Sequence, residues 1–210
     1  MGSLGLPNII TLTRLIAIPF ISYFYLVEQY DWALYLLMYA GFSDLLDGGL
    51  ARFMKQRTKL GAILDPAADK ILMFVMFITL AWARQIPFWL MLLVFLRDLY
   101  IVTGVFILKF RYKKVYIRPT YVSKMTTFFQ LSLLFFCLLL SYLPIFPFGW
   151  GKALSPWVLT AYQASFLLTV IFTVASGIHY TLVGIALYRG KLHEVPSPEE
   201  TVKEAGVSNH

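Results

Sequence analysis

Six long apolar runs, separated by short polar segments, constrain the fold of this chain more than any other feature of its sequence. With its polar flanks, each run approaches the ~20 residues that a membrane-spanning helix needs. Charged residues make up 14% of the chain, whereas they approach ~25% in soluble domains. We therefore expect an all-α integral membrane protein with about six transmembrane helices. The runs lie at roughly Leu15–Val27, Trp32–Phe42, Ile71–Trp82, Phe88–Leu108, Thr126–Leu143 and Trp157–Leu187.

The second and third apolar runs are too short to span a bilayer by themselves, and each adjoins an acidic segment. The second helix must therefore extend through Asp44 and Asp47. The third helix must begin early enough to include Asp65 and Asp69. Helices that are continuous over these segments would project from the membrane.

Basic residues are concentrated in two connections between the predicted helices, and cytoplasmic connections carry such an excess. The other connections contain little positive charge. Both termini and the acidic segments are therefore expected on the cytoplasmic side, so that a site built from these segments faces the cytoplasm. The basic residues are Arg52, Lys55, Arg57 and Lys59 between the second and third helices, and Lys109, Arg111, Lys113, Lys114, Arg118 and Lys124 between the fourth and fifth.

Composition divides the chain into two regions. Residues 1–190 contain every apolar run and are predicted to form one membrane domain, whereas residues 191–210 form a polar tail, rich in Pro and Glu, that we expect to be disordered. The N-terminal residues lack the basic cluster of a cleavable signal peptide, so we expect this segment to be retained. The single cysteine, Cys137, excludes an internal disulfide and is predicted to be a packed apolar thiol.

Four aspartates fall within twenty-six residues, in or beside apolar helical stretches. An ionised side chain near the bilayer interior costs at least ~2.5–3.5 kcal/mol, so these carboxylates need compensating partners. On a helix, Asp44 and Asp47 share one face, and Asp65 and Asp69 do the same on the next helix. Carboxylate oxygens that converge in this way suit two ions of Mg²⁺ or Mn²⁺.

Small and basic residues accompany the acids. Small residues one turn from the carboxylates leave space for a ligand, and the neighbouring cations suit an anion such as a diphosphate. A substrate at the cytoplasmic end of membrane helices can keep acyl chains in the bilayer and a polar group in water. A lipid diphosphate meets both demands. The small residues are Gly48, Ala51 and Gly61, and the cations are Arg52, Arg57, Lys59, Arg118 and Lys124.

The pattern D-x-x-D-G-x-x-A-R, followed after eight residues by G-x-x-x-D-x-x-x-D, resembles the signature of the CDP-alcohol phosphotransferase family at every defined position. The resemblance implies an enzyme that displaces CMP from a CDP-linked lipid, usually CDP-diacylglycerol, by the hydroxyl of an acceptor alcohol. It also implies that the protein forms a homodimer and contacts membrane lipids. No nucleic acid is expected as a partner. The matching residues are Asp44, Asp47, Gly48, Ala51, Arg52, Gly61, Asp65 and Asp69.

The resemblance also implies roles for individual residues. Asp44, Asp47 and Asp65 would hold the metal ions, and Asp69 would be the general base that accepts the proton of the acceptor hydroxyl and also touches a metal. Arg118 and Lys124 would bind the phosphate of the acceptor. Positions expected to contact or border the CDP-lipid are Gly48, Ala51, Arg52, Thr58 and Gly61, together with Pro7, Asn8, Ile9 and Ile10 of the N-terminal segment.

Two acceptors fit this family. The segments Leu96–Tyr100 and Arg118–Gln130, and the sequence A-S-G-I-H-Y near His179, are more similar to cardiolipin synthases, which use phosphatidylglycerol. The alternative is glycerol 3-phosphate, the acceptor of phosphatidylglycerophosphate synthases. We expect a location in the bacterial inner (cytoplasmic) membrane, with the mitochondrial inner membrane as the alternative.

Other function classes also place acids among membrane helices. A divalent-cation transporter would need them near the midplane and would not need the G-x-x-A-R pattern with its basic flank. A membrane prenyltransferase would carry a D-D-x-x-D run, which this sequence lacks. Arg97 and Asp98 stay open to two interpretations, an intramembrane charge pair between helices or a contact to the acceptor.

Overall fold

A computed structural model describes the backbone of residues 6–54, 61–111, 120–146 and 150–188, and the side chains of residues 11–43, 67–104, 106, 120–146 and 151–185. All regular structure within these ranges is helical, which confirms the predicted all-α class. Six α-helices and one 3₁₀ turn are present there. They are α1 (Leu6–Leu26), α2 (Tyr30–Met54), α3 (Gly61–Trp82), α4 (Phe88–Arg111), α5 (Tyr121–Tyr142), the 3₁₀ turn Leu143–Ile145, and α6 (Trp150–Tyr188).

The helices α2 and α3 extend beyond their apolar runs, as predicted. The helix α2 continues to Met54 and includes positions 44 and 47, while α3 begins at Gly61 and includes positions 65 and 69. All four acidic positions therefore lie on helical backbone. That these ends project from a membrane stays a prediction.

Two helical stretches among the described residues are long and apolar enough to cross a membrane. They are Tyr121–Ile145, with a mean hydropathy of 2.0, and Gly151–Ile185, with a mean hydropathy of 1.8. Only 33% and 17% of their most apolar windows are buried, so these apolar surfaces mostly face the surroundings. The stretch Thr11–Leu26 is apolar but shorter. The structure is compatible with a membrane protein, and the six-span topology stays a prediction.

The chain divides into two compact units. Among the described residues, the first comprises those from Leu6 to Met91 and from Phe128 to Thr169, and the second comprises those from Leu92 to Thr127 and from Val170 to Tyr188. The first unit thus contains α1, α2 and α3, which are the helices that precede and carry the predicted metal-binding acids. The second contains most of α4, the start of α5 and the end of α6.

In the first unit, α1 packs against both α2 and α3. Two contacts between hydroxyl groups join α1 to its neighbours. Thr13 Oγ1 lies 3.1 Å from the Tyr39 hydroxyl on α2, and Ser22 Oγ lies 2.6 Å from Thr79 Oγ1 on α3. The fully buried core of this unit is mostly apolar. Its largest members include Ile18, Ile21, Met76, Leu80, Leu133, Leu134 and Leu138. Cys137 is a buried free thiol, as predicted.

The start of α6 approaches the 3₁₀ turn of the same unit closely. Gly151 is buried, and a Cβ placed on it would collide with the carbonyl oxygen of Leu143. Glycine is needed here because the contact is to backbone, which cannot rotate away as a side chain could. The contact fixes how α6 enters the first unit.

Candidate active site at the junction of α1 and α3

The first residues of the site come from the buried face of α1. Arg14, Ile18, Ile21 and Tyr25 recur at helical spacing and are each 2% exposed or less, so they form one stripe that faces the interior of the unit. Thr11, one turn before Arg14, is buried on the same side. A guanidinium group therefore lies within an otherwise apolar helix face.

This guanidinium is paired with one of the four signature acids. Arg14 Nη1 donates a hydrogen bond to Asp69 Oδ1 across 3.2 Å, joining α1 to the third turn of α3. The burial of the two partners is unequal: the side chain of Arg14 is 1% exposed, and that of Asp69 is 51% exposed. The cation is thus enclosed by the helix packing, while the carboxylate reaches the surface of the unit.

The other predicted metal ligands have a described backbone only. Positions 44 and 47 lie three residues apart on α2, and position 65 lies one turn before Asp69 on α3. This is the helical register that the prediction required. The convergence of the four carboxylates stays a prediction, because the side chains of Asp44, Asp47 and Asp65 lie outside the described residues.

For most of the residues predicted to contact the CDP-lipid, the structure describes the backbone but not the surroundings of the side chain. Pro7, Asn8, Ile9 and Ile10 lie on the first turns of α1, Gly48, Ala51 and Arg52 on α2, and Gly61 at the start of α3, all with side-chain surroundings outside the described residues. Thr58 and the acceptor candidate Arg118 lie wholly outside them. Their roles therefore stay predictions.

The ligand atoms of the site are of the type that binds a divalent cation. Asp69 is a described acid with a surface-accessible carboxylate, and carboxylate oxygen is the donor that Mg²⁺ and Mn²⁺ prefer. Among the side chains that the structure describes, no group of three or more His, Cys, Asp or Glu residues forms a metal site. The donor type fits a hard cation, and the complete ligand set requires residues beyond those described.

The second unit contains a separate buried cation, Arg97 on α4. Its Nη1 donates to Asp98 Oδ1 at 2.6 Å, its Nη2 donates to Ser123 Oγ on α5 at 2.9 Å, and both Nε and Nη2 donate to Ser176 Oγ on α6 at 3.1 and 2.5 Å. One guanidinium thus links three helices of the unit. These contacts favour the structural interpretation of Arg97 and Asp98 over the acceptor contact.

Lys124, the other predicted acceptor contact, lies in the second unit on the first turn of α5. Its side chain is exposed, and Nζ lies 5.8 Å from the centroid of the Tyr121 ring. An exposed cation over an aromatic face remains available to an anion, because such a contact contributes only about 0.5–1 kcal/mol at exposed sites. Acceptor binding by Lys124 stays a prediction.

Arg14 is the residue that interpretation of the sequence missed. The cations considered there were those of the two basic connections, and none of them lies on α1. The available signal was its position: an arginine in an apolar helix needs a partner, and the acids of the following helices are the nearest candidates by charge. Sequence alone did not indicate which acid α1 would meet.

Comparison with known proteins decides the family. The model of the CDP-alcohol phosphatidyltransferase family matches residues 4–175, which include α1, α2, α3 and all four acids. The chain belongs to the CDP-alcohol phosphatidyltransferase family. The match covers most of the chain, and it confirms the resemblance carried by the aspartate pattern.

Named relatives of this family member fall into two groups. A human cardiolipin synthase (CMP-forming) is 34% identical over 144 residues, covering 61% of this chain and 48% of the human protein. A cardiolipin synthase (CMP-forming) of Streptomyces coelicolor is 36% identical over 112 residues, covering 50% of this chain and 52% of that protein. A CDP-diacylglycerol–glycerol-3-phosphate 3-phosphatidyltransferase of Aquifex aeolicus is 31% identical over 197 residues, covering 88% of this chain and 98% of that protein. The chain therefore spans about half the length of these two cardiolipin synthases.

Proposed function

We propose that this family member is a CDP-diacylglycerol-dependent phosphatidyltransferase that transfers a phosphatidyl group to an acceptor hydroxyl and releases CMP. The family match over residues 4–175 carries this proposal. The two named types of relative support it, because one is named as CMP-forming and the other as a phosphatidyltransferase that uses CDP-diacylglycerol. The exposed carboxylate of Asp69, held on α3 by a buried arginine, supplies a candidate for the proton acceptor.

The reaction needs a proton acceptor beside the attacking hydroxyl. The acceptor oxygen forms a new bond to the phosphorus of the phosphatidyl group, and the bond from that phosphorus to the oxygen of CMP breaks. Asp69 takes the hydroxyl proton, so that the attacking oxygen is nucleophilic as the bond forms. CMP leaves with the bridging oxygen and the electron pair of the broken bond.

The aspartates at positions 44, 47 and 65 would hold two divalent cations, Mg²⁺ or Mn²⁺, together with Asp69. Bound there, the cations would supply positive charge for the diphosphate and for the charge that develops on departing CMP. Around them, Gly48 and Gly61 would admit the nucleotide close to helix backbone. Arg52 would add a fixed cation with a geometry suited to phosphate.

The acceptor we favour is phosphatidylglycerol, which makes the product cardiolipin. The motifs near Arg97, Arg118 and His179 support this choice, and so do the names of several relatives. Glycerol 3-phosphate is the second candidate, because the relative that matches nearly end to end uses that acceptor by name. Lys124 and Arg118 would bind the acceptor phosphate in either case.

The remaining parts of the proposal concern the surroundings of the enzyme. We propose that residues 1–190 form a membrane domain of six spans with both termini and the site on the cytoplasmic side. We propose the bacterial inner membrane as its location, and a homodimer as its assembly. Residues 191–210 would form a polar tail without a part in the chemistry. The exposed apolar surfaces of α5 and α6 support membrane residence.

The proposal is tested by product identification. Purified protein is supplied with CDP-diacylglycerol and Mg²⁺ or Mn²⁺, and with phosphatidylglycerol or glycerol 3-phosphate in parallel reactions. CMP and cardiolipin formed with phosphatidylglycerol alone would support the favoured acceptor, and phosphatidylglycerophosphate would establish the second candidate. Absence of CMP release with both acceptors would contradict the proposed function.

A further inference from the structure

Burying the guanidinium of Arg14 costs desolvation free energy, which a purely structural role does not require. The side chain of Arg14 is 1% exposed and lies in a stripe in which no other residue is charged. Replacing a buried ion pair by apolar side chains of similar volume is often neutral or stabilising, so a buried pair is weak evidence for stability. Packing alone would be served as well by methionine or leucine at this position.

The ion pair is one of several contacts between α1 and α3. Ser22 and Thr79 already join the two helices through hydroxyl groups 2.6 Å apart. Apolar residues on both helices are fully buried between these two contacts, among them Ile18, Ile21 and Met76. An arginine is therefore not needed to bring α1 onto α3.

The geometry of the pair instead fits control of the Asp69 carboxylate. The buried partner is fixed by packing, whereas the exposed partner lies at the surface of the unit, where side chains exchange between rotamers more readily. A charge-assisted hydrogen bond from Nη1 to Oδ1 selects one orientation. We propose that Arg14 is a positioning residue that holds the Asp69 carboxylate in the orientation required to accept the proton of the acceptor hydroxyl. This inference rests on the proposed function.

If Arg14 positions Asp69, substitution of Arg14 should lower the rate of turnover while the affinity for the CDP-diacylglycerol donor changes little. A misplacement of about 1 Å in a catalytic group can cost roughly 10²-fold in rate. Arg14→Gln removes the charge and the planar donor pair, so we expect kcat for CMP release to fall by about 10²-fold. Arg14→Lys keeps the charge with less defined geometry, and we expect an intermediate loss of about 10-fold. The KM for CDP-diacylglycerol should stay within about threefold of the wild type in both.

Ser22→Ala provides the matched control. It also removes a side-chain contact between α1 and α3, but its partner Thr79 lies ten residues beyond Asp69, about 15 Å along the helix. A purely structural role for Arg14 predicts that Arg14→Gln and Ser22→Ala behave alike, with a lower unfolding midpoint and normal kcat in the folded fraction. Kinetics of the Arg14→Gln variant within threefold of the wild type would overturn the inference.

A double-mutant cycle on stability separates the ion pair from the reaction. Unfolding midpoints are measured for Arg14→Gln, Asp69→Asn and the double variant, and we expect the double variant to lose less than the sum of the two single losses. Additive losses would contradict the contact itself. If the wild type releases no CMP, the proposed function fails and the positioning role fails with it, while the cycle still reports on the pair. An active wild type with an unaffected Arg14→Gln variant removes the positioning role alone.

Discussion

The buried cluster around Arg97 gives a quantitative prediction for stability. Ser176 is fully buried and accepts hydrogen bonds from both Nε and Nη2 of Arg97, at 3.1 and 2.5 Å. Replacing Ser176 by alanine leaves two donors of a charged group without this acceptor. Because the serine lies on α6 and the arginine on α4, the substitution removes a link between helices of the second unit.

The size of the effect follows from the number and burial of the contacts. A hydrogen bond to a charged group contributes about 1.5–3 kcal/mol in soluble proteins, whereas interhelical hydrogen bonds in membrane bundles reach at most ~1.7 kcal/mol. We therefore expect Ser176→Ala to lower the free energy of unfolding by about 1.5 kcal/mol. Ser123→Ala removes one contact of 2.9 Å at a half-buried site, and should cost about half as much.

The assay is equilibrium unfolding in mixed detergent micelles, followed by tryptophan fluorescence. Ser132→Ala is the control, because Ser132 Oγ donates to the Phe128 carbonyl of its own helix at 2.9 Å and so makes a contact within one helix. Its effect should lie within about 0.5 kcal/mol. Equal effects of Ser176→Ala and Ser132→Ala would refute the structural role of the cluster.

Kinetics of the same variant separate the two interpretations of Arg97. The structural interpretation predicts that folded Ser176→Ala protein releases CMP with the kcat and acceptor KM of the wild type. If Arg97 instead binds the acceptor, disturbing its orientation through Ser176 should raise the acceptor KM of the folded protein.

Two further predictions concern packing and the metal. Gly151→Ala should destabilise the protein by about 1–3 kcal/mol in the same unfolding assay, because the new Cβ would meet the backbone carbonyl of Leu143. Gly177→Ala is the control, because nothing lies within 4 Å of the added atom. It should be neutral or slightly stabilising. Removal of divalent cations with a chelator should abolish CMP release, and Mg²⁺ or Mn²⁺ should restore it, whereas Ca²⁺ at equal concentration should restore less because its coordination is larger and less regular. Full activity in excess chelator would contradict a metal-dependent reaction.

The sequence predicted the helices well because their signals are local. Apolar runs and the need to continue through acidic segments correctly indicated α2 to beyond Asp47 and α3 from before Asp65. The family followed from eight residues at fixed spacing, which is a local pattern as well. The burial of Cys137 likewise followed from its apolar neighbours.

Contacts between distant residues were not predictable in the same way. Arg14 and Asp69 are separated by 55 positions, and Arg97 and Ser176 by 79. Each pairing depends on how helices rotate and pack, which hydrophobic periodicity restricts to a face but does not fix to a residue. The sequence therefore identified Asp69 and the Arg97–Asp98 pair as unusual, but not the partners that hold them.

The central claim, that this protein uses Asp69 to transfer a phosphatidyl group with release of CMP, is tested most directly by comparing the wild type with Asp69→Asn. Both proteins are given CDP-diacylglycerol and a divalent cation, with phosphatidylglycerol or glycerol 3-phosphate in parallel reactions, and CMP release is measured together with CDP-diacylglycerol binding. The account predicts that the asparagine variant binds the donor but releases no CMP, because its amide cannot accept the hydroxyl proton. Normal CMP release by that variant would contradict the assignment of Asp69, and no release by the wild type would contradict the reaction.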